Sequence, residues 1–159
     1  MAYDVLDVSR YIINYSNKNK YSISNLKLQK LLYFVQAYFL ITKDAPCFDA
    51  KIEAWDFGPV VPIAYHEFKQ YGSGEIPEIK SYLVFDSNDV WNTVSKPFNE
   101  DVISSEDREF IGKVVKQFSK YTASSLVELT HRQAPWKDVF EVGKNREITL
   151  QSIKNYFNE

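Results

Sequence analysis

The stretch from Asn25 to Thr42, NLKLQKLLYFVQAYFLIT, constrains the chain more than any other. Placed at about 100° per residue it forms a helix with two apolar arcs. Leu28, Leu31, Leu32, Val35, Tyr38 and Phe39 fill one arc, and Leu26, Tyr33, Ala37 and Leu40 fill the other. Gln29, Gln36 and Lys43 form a polar strip between them, with Lys27 and Lys30 flanking the far side. A helix apolar on two sides is either surrounded by its own fold or covered on one side by a partner. The first arrangement is expected here, with a central helix at about 25–42 capped by Ser24 or Asn25.

The other segments read mostly as helix. Val5, Val8, Ile12 and Tyr15 recur at helical spacing from about Asp4 to Tyr15, and the polar run from Ser16 to Lys20 ends that helix. An extended stretch follows from Phe48 to Trp55. Gly58-Pro59 marks a turn, and Pro62 opens a third helix that reaches about Gln70 and stops at Gly72. Tyr82–Phe85 and Val90–Val94 flank the polar run Asp86–Asp89 and read as a β-hairpin, an insertion spanning about 80–98. Ser104, with Asp107 three residues later, is a capping-box variant opening a helix whose core stripe is Phe110, Ile111, Val114, Val115 and Phe118. A further helix spans about Ala123–Arg132, and Pro135-Trp136 begins a short helical turn. Thr149 caps a last helix with Leu150, Ile153, Tyr156 and Phe157 facing inward. The expected fold class is mainly α, essentially all-α apart from the hairpin, in a single compact multi-helix domain covering 1–159.

Composition narrows the function classes. With 159 residues the chain is long enough to bury a core without staples. One cysteine, Cys47, forms no internal disulfide, and with His66 and His131 it is too small a set for a structural zinc site. The N-terminus lacks a basic-then-apolar leader, and the apolar run Leu31–Ile41 is too short to span a bilayer, so a cytoplasmic location and no membrane partner are expected. The net charge of −2 gives no global pull toward nucleic acid, but its distribution is uneven. Val8–Thr42 carries five bases and no acid, Asp44–Glu109 carries a net −9, and the stretch from Phe110 onward a net +3. Two oppositely charged faces of one domain explain this most simply. The basic 10–43 block motivates an alternative reading as a nucleic-acid-binding regulator, although no recognition signature accompanies it.

Catalytic signatures are missing from the sequence. His66-Glu67-Phe68-Lys69-Gln70 begins like a zinc-protease helix, but position 70 is glutamine where the second histidine is needed. There is no phosphate-cradling glycine loop and no Gly-x-Ser-x-Gly elbow. Cys47 with His131, or Glu53 with Asp56, are pairings that chance supplies. His131 reads as a helix C-terminus that bonds the last carbonyls, with Trp136 packed over the end; Trp55 reads as a wedge under the Gly58-Pro59 turn, its indole bonded locally. The structural reading is the first for both; a partner-binding role for His131 and a place on a cleft rim for Trp55 are the second. No catalytic residue, metal or cofactor is expected, and 11 Tyr, 11 Phe and three Trp suit a protein interface as well as a core.

Several phrases together resemble one family. They are Leu26-Lys27-Leu28-Gln29-Lys30-Leu31-Leu32-Tyr33-Phe34, Ile52-Glu53-Ala54-Trp55, and Phe57-Gly58-Pro59-Val60-Val61-Pro62 with Tyr65 behind it, followed by Thr130-His131 and Pro135-Trp136. In this order they look like the SocA-like antitoxin, or Panacea, domain, which includes many phage-associated proteins. The resemblance runs from about residue 4 to 157, with the 80–98 hairpin outside its recognisable motifs. It implies a non-enzymatic antitoxin of a bacterial or prophage toxin–antitoxin system that binds the toxin encoded by its neighbouring gene. Nucleic acid is then not the expected partner, and homodimerisation stays open. On this reading the partner-binding residues are the edge of the 25–42 helix (Lys27, Lys30, Tyr33) and a cleft rim (Glu53, Trp55, His131, Trp136).

Overall fold

A computed structural model describes residues 2–159. Its elements are α1 (Val5–Lys18), α2 (Asn25–Lys43), β1 (Ile52–Trp55), β2 (Gly58–Val60), α3 (Pro62–Phe68), β3 (Ser81–Asp86), β4 (Asp89–Pro97), α4 (Ser105–Gln117), α5 (Ala123–His131), α6 (Ala134–Lys137), β5 (Arg146–Ile148) and α7 (Leu150–Phe157). Helix dominates, but β1, β2 and β5 form a three-stranded antiparallel sheet in the order β2-β1-β5, apart from the β3-β4 hairpin. The all-α expectation is corrected accordingly. The sheet escaped sequence reading because its strands are only three or four residues long, too short to show an alternation.

Helix α2 is central, as expected. Ser24 caps it, its Oγ accepting from Lys27 N, and 14 of its residues are buried. α1, α3, α4, α5, α7 and β2 all pack against it. α7 docks through Phe157, which meets Tyr33, Phe34 and Tyr38 edge-on, while Phe34 stacks on Phe118 at the end of α4 with ring centroids 4.2 Å apart.

The polar strip of α2 is buried at Gln29 and Gln36 and half-buried at Lys43, and each member reaches a different part of the chain. Gln29 Oε1 accepts from Val61 N at 3.0 Å, and its Nε2 donates to Asn25 Oδ1 at 2.9 Å. Gln36 Oε1 accepts from Cys47 N and Phe48 N, and its Nε2 donates to Phe48 O, closing three bonds to a two-residue stretch. Lys43, at the helix end, pairs with Asp107 of α4. Tyr3 joins this corner: its hydroxyl donates to Asp107 Oδ2 at 2.5 Å and accepts from Ser104 N at 3.2 Å. Ser104 caps α4 as expected, but the Asp107 carboxylate turns to Lys43 and Tyr3 instead of completing a capping box.

Other boundaries shift for local reasons. α1 continues to Lys18 because Ser16 Oγ and Asn17 Nδ2 bond the carbonyls four residues back, and Lys20, at φ 60°, turns the chain away. Gly58-Pro59 is not a turn but the start of β2; the turn is Asp56-Phe57, and Glu53 pairs with Val60 and Trp55 with Gly58 across it. Leu150 is exposed, since the first turn of α7 lies beyond the core that Ile153 enters.

Gln36→Met keeps the side-chain length but leaves Cys47 N, Phe48 N and Phe48 O without a partner inside the core. Orphaned buried groups cost about 1–3 kcal/mol each. Denaturant unfolding is expected to show a loss of about 3 kcal/mol or more, with the slope unchanged.

Candidate functional site: a locked hairpin and its aromatic cleft

Side chains in strand β1 alternate, with Ile52 and Ala54 inward and Glu53 and Trp55 outward. Trp55 Nε1 donates to Glu53 Oε1 at 2.9 Å, so the indole bonds locally, as expected. Tyr65 of α3 meets the Trp55 ring edge-on at 5.0 Å. From the other side α5 and α6 close on the same hairpin. Trp136 Nε1 donates to Trp55 O at 2.8 Å, and the His131 ring stacks on Trp136 at 4.0 Å with Phe140 continuing the stack. His131 Nε2 lies 3.0 Å from Asp56 O; a carbonyl only accepts, so Nε2 carries the proton. This corrects the expectation that His131 serves the carbonyls of its own helix. It pins the turn of a distant hairpin instead.

The expected helix-two edge lies elsewhere than on the surface. Lys30 is 0% exposed and donates from Nζ to Pro59 O at 2.9 Å. Tyr33 is equally buried and donates to Gln133 Oε1 at 2.8 Å. Lys27 is buried, its Nζ reaching Ser119 O. Helical-wheel reasoning placed Lys27 and Lys30 outside because it counted charge as a mark of solvent; the β2 strand and α5 pack against α2 and help to cover it. Gly58, at φ 103°, shows how tightly. A Cβ there would stand 2.7 Å from Lys30 Cε and 2.8 Å from Thr130 Oγ1. Burial raises the Tyr33 phenol well above its ordinary range, lowers Lys27, and pushes Lys30 down to about 7.

Six of the seven predicted residues therefore form one construction in two layers, and Lys27 stands apart from it, bonded to Ser119 O. Glu53, Trp55, His131 and Trp136 converge on the β1–β2 hairpin, and Lys30 supports it from inside, with Tyr33 beneath Gln133. Beside the hairpin lies an open cleft of about 390 Å³. Leu26, Val60, Tyr65 and Trp55 line it, with Phe57 and Lys144 at its edge. Phe57 is 64% exposed. Four of these lining residues (Leu26, Phe57, Val60 and Tyr65) stood in the quoted phrases without being singled out; Lys144 comes from a loop that carries no sequence signal. No group of three or more metal-ligating side chains occurs among the described residues. No helix among them is long and apolar enough to cross a membrane.

Of the six bases in the 10–43 block, only Lys18 and Lys20, near the C-terminal end of α1, stand exposed and outside the ion pairs, and two lysines make no extended cationic face. Arg10 is buried against Asp7 and over the Tyr82 ring, Lys27 and Lys30 are interior, and Lys43 is paired with Asp107 and Glu106.

Comparison with known proteins places this construction. The family model described as "Antitoxin SocA-like, Panacea domain" matches residues 28–137, from α2 to α6. The chain belongs to the SocA-like, Panacea-domain family. Antitoxin SocA of Caulobacter vibrioides is 36% identical over 131 residues, which cover 80% of this chain and 65% of that protein. The chain thus spans somewhat under two thirds of that curated relative. No solved structure matches. The family match is narrower than the 4–157 expected, leaving out α1, β5 and α7, and it includes the hairpin residues 81–97.

The buried amine of this domain has a measurable signature. Lys30 loses its proton near pH 7 when folded and near 10.5 when unfolded. Between those values the unfolded chain binds more protons, so stability rises with pH, by up to about 1.4 kcal/mol per unit. Lys27 adds in the same sense. Cys47, whose thiol burial pushes up from 9.0, acts oppositely once its unfolded form ionises. Between pH 7 and 9 the unfolding free energy is therefore expected to rise in the native protein and to flatten in Lys30→Met.

Proposed function

We propose that this Panacea domain is an antitoxin that neutralises the toxin encoded by its neighbouring gene through direct protein–protein binding, with the cleft beside the β1–β2 hairpin as its contact surface. The observation that carries the reading is the cleft itself: an aromatic, open concavity on a hairpin that three elements hold still, in a chain of an antitoxin family. Rigid aromatic surface is the kind that anchors binding energy, because little ordering entropy is lost when a partner covers it.

Roles follow from position. Trp55 and Tyr65 form the cleft wall, and Phe57 stands exposed at the turn to enter a partner's surface. Lys144 offers a cation at the edge that favours an acidic segment. Glu53, His131 and Trp136 keep Trp55 and the turn in place, while Lys30 and Tyr33 act from beneath. The toxin is blocked by burial of its active or substrate-binding surface, with no chemistry performed on it. The alternative of nucleic-acid binding lacks the cationic face it requires.

A survival assay tests this. The adjacent open reading frame is induced with and without this chain, and colonies are counted. Induction alone is expected to kill, and co-expression to rescue. Phe57→Asp with Lys144→Glu changes only exposed residues, so its unfolding curve should match the parent. It is expected to lose rescue and to weaken toxin capture at least tenfold, about 1.4 kcal/mol. Full rescue by the folded double variant removes the cleft as the contact; killing without rescue by the native chain removes the neighbour as its toxin.

A further inference from the structure

One face of α1 forms the floor of a second hollow, an open cavity of about 770 Å³. Tyr11, Tyr15 and Lys18 follow one another along it at helical spacing. Glu78, from the segment before β3, stands on one side, and Glu100 and Arg108, from the approach to α4 and its first turns, on another. Several groups around it are committed and fix its walls. Asn14 exchanges both amide bonds with Ile79, Nδ2 donating to the carbonyl at 2.9 Å and Oδ1 accepting from N at 2.7 Å. Asn17 Nδ2 donates to Ile76 O. Arg108 Nε donates to Ile103 O, and its guanidinium pairs with Glu100 and Asp101. Tyr15 lies on Gly112 of α4, where a Cβ would stand 2.8 Å from its ring.

Other groups are uncommitted, and Tyr11 is the telling one. It is 9% exposed, yet its hydroxyl has no hydrogen-bond partner among the described residues. No buried side-chain oxygen among them lacks a partner, so this hydroxyl opens into the cavity. Burial, with Glu100 nearby, raises the phenol above its ordinary range, so it stays a neutral group that both donates and accepts. The Tyr15 ring lies 6.1 Å away and tilted, its hydroxyl also unbonded among the described residues. Lys18 and Glu78 are exposed and in no ion pair among them. In the free chain water serves these groups, and a ligand that replaces it has to bring hydrogen-bonding groups of its own.

We propose that this cavity binds a neutral carbohydrate of one or two sugar rings. Charge sets the class. Lys18 and Glu78 cancel, and so do Arg108 and Glu100, leaving the site with no net charge to offer. A polyphosphate meets two carboxylates there, and a polyamine meets two cations. An amino acid pairs with Lys18 and Glu78 but brings nothing for the two phenol hydroxyls. A sugar carries hydroxyls around its whole rim. They donate to Glu78 and Glu100 and accept from Lys18 and Tyr11, while the C–H faces of the ring pack on the tyrosines. The volume agrees, since small-molecule sites measure about 300–1,000 Å³. The cavity shares no lining residue with the cleft beside the β1–β2 hairpin, and the inference is independent of toxin binding.

Amide NMR spectra of the full chain, titrated with maltose, cellobiose, lactose and trehalose into the millimolar range, test it. At least one disaccharide is expected to shift the signals of residues 11–19 and 76–80 saturably and to leave those of the β1–β2 hairpin in place. Tyr11→Phe removes only a hydroxyl that bonds nothing inside the fold, so its unfolding curve is expected to match the native one. Its affinity for the sugar is expected to fall by about three- to tenfold, as the loss of one hydrogen bond does. Glu78→Gln, at an exposed position, is expected to weaken binding similarly and serves alone if Tyr11→Phe does not fold. ATP, spermidine and free glutamine are expected to bind more weakly than the sugar. Four disaccharides without a saturable shift overturn the proposal. So does unchanged affinity in the folded variants, or tighter binding of any of the three comparators. Loss of capture of the co-expressed neighbouring protein by Tyr11→Phe, with no sugar bound, assigns the cavity to a protein instead.

Discussion

A nineteen-residue helix covered on nearly every side cannot leave a polar side chain unpaired, and α2 carries several. That constraint organises the molecule. Each polar group has to find its partner inside the fold, so each becomes a tether to a specific segment. Gln29 holds the start of α3 at Val61, Gln36 holds the crossing strand at Cys47 and Phe48, Lys30 holds β2 at Pro59, and Lys43 holds α4 at Asp107. Apolar packing alone is non-directional and admits many arrangements of helices around a greasy rod. Directional bonds from fixed positions along the rod admit few. No buried side-chain nitrogen or oxygen lacks a partner among the described residues, so the network is complete and not merely dense.

Elements whose information is local were readable in the sequence. The Ser24, Ser104 and Thr149 caps, Pro62 at a helix start and the β3–β4 hairpin are written in neighbouring residues, and each stands where expected. The polar strip of α2 was visible too, although what it bonds was not. β5 was illegible because a three-residue strand has no period, and it exists only because β1 offers it an edge. Lys27 and Lys30 were misplaced for a related reason. A wheel assigns lysine to solvent by its charge, while the decision belongs to a strand thirty residues away that arrives with a carbonyl for Lys30 Nζ. The same holds for His131, whose partner is the turn at Asp56 and not its own helix.

The phrases that carry the family resemblance are largely interior or interlocked. Lys30 and Tyr33 are buried, Trp55 is held at its ring by Glu53 and Tyr65 and at its carbonyl by Trp136, and His131 is stacked and bonded. Much of the recognisable sequence therefore builds and holds the β1–β2 hairpin, and in the proposed reading the contacts fall to Phe57 at its tip and to Lys144 from a loop without a motif. A family can keep such a frame and change what it grips by changing its edge.

Rigidity is distributed unevenly for the same reason. Moving the β1–β2 hairpin by an ångström breaks bonds to α2, α5 and α6 together and drives Gly58 against Lys30 Cε and Thr130 Oγ1, where even a methyl group has no room. The cleft beside it is accordingly pre-formed, and a partner that fits it loses little entropy on docking. The β3–β4 ribbon has far fewer attachments, chiefly Arg10 over Tyr82 and the bond that closes its base. The two surfaces are supported by opposite mechanical principles, both set by how many bonds reach back to the central helix.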